Sequence, residues 1–222
     1  MTPPLALDID GTLTTPGGAV DPRVFEVLPA WDAPVVLATG KAFPYPIALC
    51  HFVGIPETVV AENGGVVCVD DTVRFAGDRA RAERVIETFE ARGGDAGWGD
   101  ADLANRWRET ELIVSMAADE SLLREVAAEF EMAVVDTGYA YHVKTPGVEK
   151  GDGLELVAAE LGVDPAAFVA VGDSENDAST FAVAGRSFAV ANADSAAREA
   201  ADVVLDAGYM DGTLAALASV RT

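Results

Sequence analysis

Short apolar runs recur at both ends of the chain, separated by segments with helical signals, and several of them stop at Asp, Thr or Gly. Residues 5–9, 35–38 and 58–61 read as buried strands near the start, and residues 168–171, 187–190 and 202–205 near the end. Strands without polar alternation must be covered on both faces, so the pattern predicts a parallel sheet with helices above and below it. Helix starts lie between the strands: Asp21-Pro22 and Asp164-Pro165 each offer an N-cap followed by Pro at the first helical position, and Ser195 can cap residues 196–201. Sheets of this kind bind ligands beyond the carboxyl ends of their strands, so the residues there are the first to search for chemistry.

The middle of the chain has a different pattern. Residues 78–93 form a charged amphipathic helix, residues 93–100 a turn-rich loop, and residues 111–116 a strand. A second helix follows over 120–130, then two strands over 133–136 and 139–144 around a turn at Gly138. The fold class expected is α/β: a Rossmann-like parallel sheet core, residues 1–77 and 150–222, with a smaller inserted α+β domain, residues 78–149. A chain of 222 residues suits a main domain with such an insert.

Composition narrows the partners. Asp and Glu number 37 against 15 Lys and Arg, a formal charge of −22, yet 50% of residues are hydrophobic, which excludes an acidic disordered chain. The charge must lie on a folded surface that repels phosphate backbones and anionic lipids, so neither a nucleic acid nor a membrane is expected as a partner. An anionic ligand would need a local positive site or a metal ion. Only three lysines occur, Lys41, Lys144 and Lys150, and the other basic residues are arginines. An acid-rich, lysine-poor surface resembles proteins of salt-accumulating organisms, where molar salt shrinks the Debye length to about 3 Å; an ordinary acidic protein is the alternative. Cys50 and Cys68 make no disulfide framework or metal-ligand spacing, which fits a reducing, cytoplasmic setting. No signal peptide and no apolar run long enough to span a membrane is expected, and the chain reads as a monomer or small homo-oligomer.

Three strand ends carry the candidate chemistry. Asp8 and Asp10 follow the first apolar run two residues apart, which in an extended chain aims both to one side. The second run ends in Thr39, Gly40 and Lys41, a hydroxyl and backbone N–H groups suited to phosphoryl oxygens. A later run ends in Gly172 and Asp173, with Asp177 four residues on at a helix start. Each alone has a plainer reading, as an Asp-capped turn, loop chemistry or helix capping. Together, four carboxylates at one sheet edge require a hard divalent cation, and Mg²⁺ keeps substrate phosphate oxygens in its shell, which points to phosphoryl transfer.

The motifs DIDGT at 8–12, Thr39-Gly40, Lys150 and GDSEND at 172–177 resemble, in the same order, the four motifs of the haloacid dehalogenase-like phosphatases. The insert lies where that family carries its large α+β cap. The segments ENGG at 62–65, NRWRE at 105–109 and GYAYH at 138–142 are similar to those of the archaeal phosphoglycolate phosphatases within it. The resemblance implies that Asp8 attacks phosphorus and forms an aspartyl-phosphate, while Asp10 protonates the leaving oxygen and then activates water. It further implies that Thr39 and Gly40 hold the phosphoryl group and Lys150 offsets its charge. Mg²⁺ is implied on Asp8, Asp10 (through its carbonyl) and Asp173, with Asp177 as ligand or close support. Lys41 departs from the usual pattern and receives no role, and Lys144 reads as a solvated surface residue.

The substrate implied is a small phosphomonoester, 2-phosphoglycolate first. Sugar phosphates, a phosphorylated glycerate derivative or a binding module without turnover stay open. If NRWRE is extended, Arg106 and Arg108 share a face and can bind a substrate carboxylate as a fork; equally, they can be surface ion-pair partners around a packed Trp107. Tyr141 and His142 are structural or substrate contacts. Glu62-Asn63-Gly64-Gly65 reads first as a hairpin turn, with Asn63 at the site mouth as the other possibility.

Overall fold

The computed structural model describes residues 2–221. In chain order the first part gives β1 (Leu5–Leu7), α1 (Val24–Val27), β2 (Val35–Ala38), α2 (Pro44–Val53), β3 (Thr58–Ala61), β4 (Val66–Val69) and β5 (Thr72–Phe75). A middle part gives α3 (Arg79–Ala91), β6 (Leu112–Ser115), α4 (Glu120–Glu129), β7 (Ala133–Asp136) and β8 (Ala140–Lys144). The chain then returns as α5 (Lys150–Leu161), β9 (Val169–Gly172), α6 (Ala178–Val183), β10 (Arg186–Ala189), α7 (Ser195–Ala200), β11 (Val203–Val204) and α8 (Tyr209–Val220).

The main sheet runs β11-β10-β9-β1-β2-β3-β4-β5. Pairing is parallel from β11 to β3, and β4 and β5 extend that edge as antiparallel hairpins. From β1 the chain moves to β2 and β3 on one side and later returns to β9 on the other. That reversal of strand order opens a crevice at the carboxyl ends of β1 and β9, where such sheets bind ligands.

Period-two geometry sorts the buried strand residues onto two faces. Leu5, Leu7, Val35, Leu37 and Val171 pack on one side with Leu28, Cys50, Met210 and Leu217. The other side receives smaller residues, Ala6, Ala38, Ala170 and Ala189, under Leu154, Val157 and Phe181. The small side chains let α5 lie close to the sheet. Gly153 completes the approach, since a Cβ there would stand 2.4 Å from the Val60 side chain. This tight seat carries the first residue of α5, Lys150, under the end of β1.

The middle part forms a second, antiparallel sheet, β6-β8-β7, on which α3 and α4 pack around Val85, Phe89, Leu123, Val126, Tyr141 and Val143. Three expected helix starts came out differently. Asp21 spends its carboxylate on the Arg23 backbone and guanidinium, and only the one-turn α1 follows. Asp164-Pro165 opens a 3-10 turn at Pro165–Ala167, and α7 is capped by Asp194, which accepts from the Ala197 N–H, rather than by Ser195. The hairpin turn read at residues 62–65 joins β3 to the antiparallel β4, while β5 was not anticipated. No helix among the described residues is long and apolar enough to cross a membrane.

Candidate active site

Asp8 follows β1 directly, and its N–H donates to Val171 O at 3.0 Å, tying the ends of β1 and β9 together. Its carboxylate is buried, and Oδ1 accepts from Lys150 Nζ at 2.7 Å. Lys150, itself fully buried, donates equally to Asp177 Oδ1 at 2.7 Å. The second Asp177 oxygen accepts the N–H groups of Asp173 and Ser174, which folds the turn after β9. Asp177 therefore holds both the lysine and the turn, while the Asp173 carboxylate has no ion-pair partner among the described residues. Asn192 Nδ2 donates to it at 3.4 Å. Gly11 makes room for that carboxylate: at φ +75° it has a conformation few side chains tolerate, and a Cβ there would stand 1.9 Å from Asp173 Oδ2.

The charges in this crevice do not balance. Asp8, Asp173 and Asp177 each bring an oxygen within 4.8 Å of the others, against one lysine. Burial pushes the Asp8 carboxyl up, and Lys150 opposes it. Burial and then the Asp177 charge push Asp173 up to about 7. Burial works against the Lys150 ammonium, but Asp177 and Asp8 outweigh it and keep the lysine charged. An all-oxygen donor set with surplus negative charge fits a hard divalent cation such as Mg²⁺, with Asp8 and Asp173 as the available carboxylates.

Asp10 stands at the mouth, more than half exposed, with Oδ2 3.1 Å from Lys41 Nζ. Thr39 Oγ1 accepts the Lys41 backbone N–H at 3.1 Å, which leaves its own O–H free to donate. Asp8, Asp10, Thr39, Gly40, Lys41 and Asp173 line one side of a cavity of about 370 Å³. The middle part supplies Arg108 from the turns before β6, Thr137 and Tyr139 from the connection of β7 to β8, and His142 from β8 to the same cavity.

Arg108 and His142 belong to a second buried charge cluster. Glu111, at the start of β6, accepts from Arg108 Nη1 and lies 2.7 Å from His142 Nδ1 through the same Oε1. Burial alone would push the Glu111 carboxyl up, but His142, Arg108 and Lys144 overrule it and hold it at about 2. Asn63 joins this cluster to the core: its Nδ2 is 3.3 Å from both Glu111 oxygens, and its Oδ1 accepts from Asn176 at 3.0 Å. Asn63 manages this from a left-handed backbone, φ 54°, inside the turn that joins β3 to β4. Glu62 beside it accepts from the N–H groups of Glu109 and Thr110, pinning the approach to β6.

The structure brings Asp8, Asp10, Thr39, Gly40, Lys150, Asp173 and Asp177 into one place. It separates the arginines. NRWRE lies in turns instead of an extended segment, so Arg106 is exposed and outside the cavity lining while Arg108 is buried and inside it. Their shared face required extended geometry, which the Asp102 bonds to Asn105 replace with a turn. Lys144 is half-buried near Asn63 O at 3.5 Å, not a solvated surface lysine, and burial lowers its ammonium. Glu111 and Lys41 were not assigned site roles from the sequence, and Asn63 was offered one only as the alternative to a plain turn residue. The one signal for Glu111 was a lone acid opening an apolar strand.

The sequence profile of the haloacid dehalogenase-like hydrolases matches residues 5–92 and 109–217. A phosphoglycolate phosphatase of Halorubrum lacusprofundi is 66% identical, over 100% of this chain and 99% of its own. One of Natronomonas pharaonis is 55% identical with the same coverage. Among solved structures, a protein of Thermoplasma acidophilum superposes with a TM-score of 0.83 at 24% identity, covering 96% of this chain and 95% of its own, which speaks to fold alone.

Proposed function

This chain belongs to the haloacid dehalogenase-like hydrolases, and from that premise we propose that it is a Mg²⁺-dependent phosphatase that converts 2-phosphoglycolate to glycolate and phosphate. The observation that carries the reading is that Asp8, held by Lys150 and through it by Asp177, lines one cavity together with Asp10, Thr39 and Asp173. Relatives bearing the name phosphoglycolate phosphatase support the substrate.

Lys150 fixes one Asp8 oxygen and leaves the other to attack phosphorus in line with the leaving oxygen. As the new bond forms and the ester bond breaks, the Asp10 carboxyl gives its proton to the departing glycolate oxygen. Asp10 then takes a proton from water, which attacks the aspartyl-phosphate and releases phosphate and the Asp8 carboxylate. Thr39 donates its O–H to a phosphoryl oxygen, the Gly40 backbone lies beside it, and Asp177 keeps Lys150 in position. Asp8, Asp173 and the Asp10 carbonyl would hold Mg²⁺, with Asp177 in close support. Bound there, the ion would neutralise phosphoryl charge and orient the ester. Residues 78–149 act as the cap that closes over the ester and excludes water.

Phosphate release from a panel of small phosphomonoesters, in molar KCl with and without Mg²⁺, tests this reading. Phosphoglycolate should be turned over fastest, chelation should abolish turnover, and Asp8→Asn should reduce it by about 10³-fold or more. A sugar phosphate at the head of the panel would refute the substrate; an active Asp8→Asn enzyme would refute the mechanism.

A further inference from the structure

The cap cluster leaves two of its nitrogens without a partner at the cavity. Glu111, 1% exposed, faces the Arg108 guanidinium and the His142 ring, with the half-buried Lys144 also acting on it. Arg108 uses Nη1 on Glu111 and Nε on Ala104 O, while His142 uses Nδ1 on Glu111. Among the described residues neither Arg108 Nη2 nor His142 Nε2 has a hydrogen-bond partner, and both residues line the cavity that holds Asp8.

We infer that Arg108 and His142 form a two-donor clamp for the carboxylate at the far end of the substrate, with Glu111 as the positioning residue that aims both. This deepens the phosphatase reading and rests on it. His142 Nδ1 is engaged by Glu111 and Asn63, which leaves Nε2, beside Arg108 Nη2, for the ligand carboxylate. Glu111 shares a single oxygen between the two groups, which sets them side by side. Asn63, itself held by Asn176, supports the same carboxylate from the core. A short phosphomonoester with a carboxylate would place its phosphoryl group at Asp8 and its carboxylate here. An ester ending in a hydroxyl would leave these two groups without an anion. Arg106, exposed and outside the lining, takes no part.

Steady-state kinetics of the full chain with Mg²⁺ in molar KCl tests the clamp. The two substrates are 2-phosphoglycolate and 2-hydroxyethyl phosphate, and the readout is the ratio of their kcat/KM values. Arg108→Gln should lower the ratio about 30- to 100-fold, mostly through KM for phosphoglycolate, and His142→Gln about 10-fold. Glu111→Gln, which keeps the shape and removes the charge, should lower it about 10-fold. The double variant Arg108→Gln/His142→Gln should lose less than the product of the single losses, because both bind one carboxylate. Parallel losses on both substrates, leaving the ratio unchanged, would mean a structural role and overturn the clamp. A second measurement uses only the wild-type enzyme, so folding of variants does not enter: glycolate should inhibit at least about 10-fold more strongly than ethylene glycol, and equal inhibition overturns the clamp. A wild-type enzyme that hydrolyses both esters equally well overturns the clamp alone. One that releases phosphate from neither overturns the phosphatase reading as well.

Discussion

Two buried charge clusters border one cavity, and they leave different groups without a partner. In the core, Lys150 stands between Asp8 and Asp177 while Asp173 has no ion-pair partner among the described residues. In the inserted part, Glu111 stands against Arg108, His142 and the charge of Lys144. The first leaves carboxylate oxygens over and fits a metal ion; the second leaves Arg108 Nη2 and His142 Nε2 over and fits an anion. The formal charge of −22 describes neither site. What a protein binds depends on the local balance inside a crevice, where charges are weakly screened, more than on the sum over its surface.

Removing the single cation of the core cluster should break the comparison most severely. Lys150→Ala leaves the buried Asp8 and Asp177 without their cation and should cost about 3–5 kcal/mol in Mg²⁺-free urea unfolding, together with most of the activity. An unfolding midpoint equal to wild type would show that water already reaches these carboxylates.

The cap cluster should respond to acid. The Glu111 carboxyl is held at about 2, below its ordinary 4.5, so its contribution is complete above pH 4.5 and fades as pH falls toward 2. That contribution amounts to about 3 kcal/mol. Unfolding curves of wild type and Glu111→Gln should therefore lie apart at neutral pH and draw together as acid is added. Curves separated by a constant amount over that range would place the stabilisation elsewhere.

A smaller effect is expected at Gly11. A methyl group there would displace the Asp173 carboxylate and strain the backbone, so Gly11→Ala should raise the Mg²⁺ concentration for half-maximal activity about 10-fold. Unaltered Mg²⁺ dependence would remove Asp173 from the metal site. The smallest effect belongs to Arg106→Ala: stability within about 0.5 kcal/mol of wild type and an unchanged preference for phosphoglycolate over the hydroxyl-ended ester. A loss of preference there would restore the paired-arginine fork.

The core cluster was legible in the sequence because its residues sit where strands stop. Apolar runs reveal the strands, the sheet brings their ends together, and Asp8, Thr39 and Asp173 come at fixed offsets from those ends. Lys150 was found through its place among the motifs, not through any local pattern. The cap cluster was hidden for physical reasons. Glu111 meets Asn63 across 48 residues and His142 across 31, and nothing local in the sequence marks such distances. Asn63 looked like a turn residue and is one, yet the same left-handed conformation aims its side chain into the cluster. For Arg106 and Arg108, period-two logic assumed an extended chain where the backbone turns, and that difference sent the two side chains to different environments.

The central claim, that the acid-rich cluster carries out phosphoryl transfer through Asp8, is tested most directly by acid-quenching the enzyme during turnover of phosphoglycolate and mapping the phosphoryl group by peptide mass. The account predicts one acid-stable, base-labile adduct on the peptide containing Asp8, formed only with Mg²⁺ and missing in Asp8→Asn. Turnover at full rate with no adduct on Asp8, or with the adduct on another residue, would contradict it.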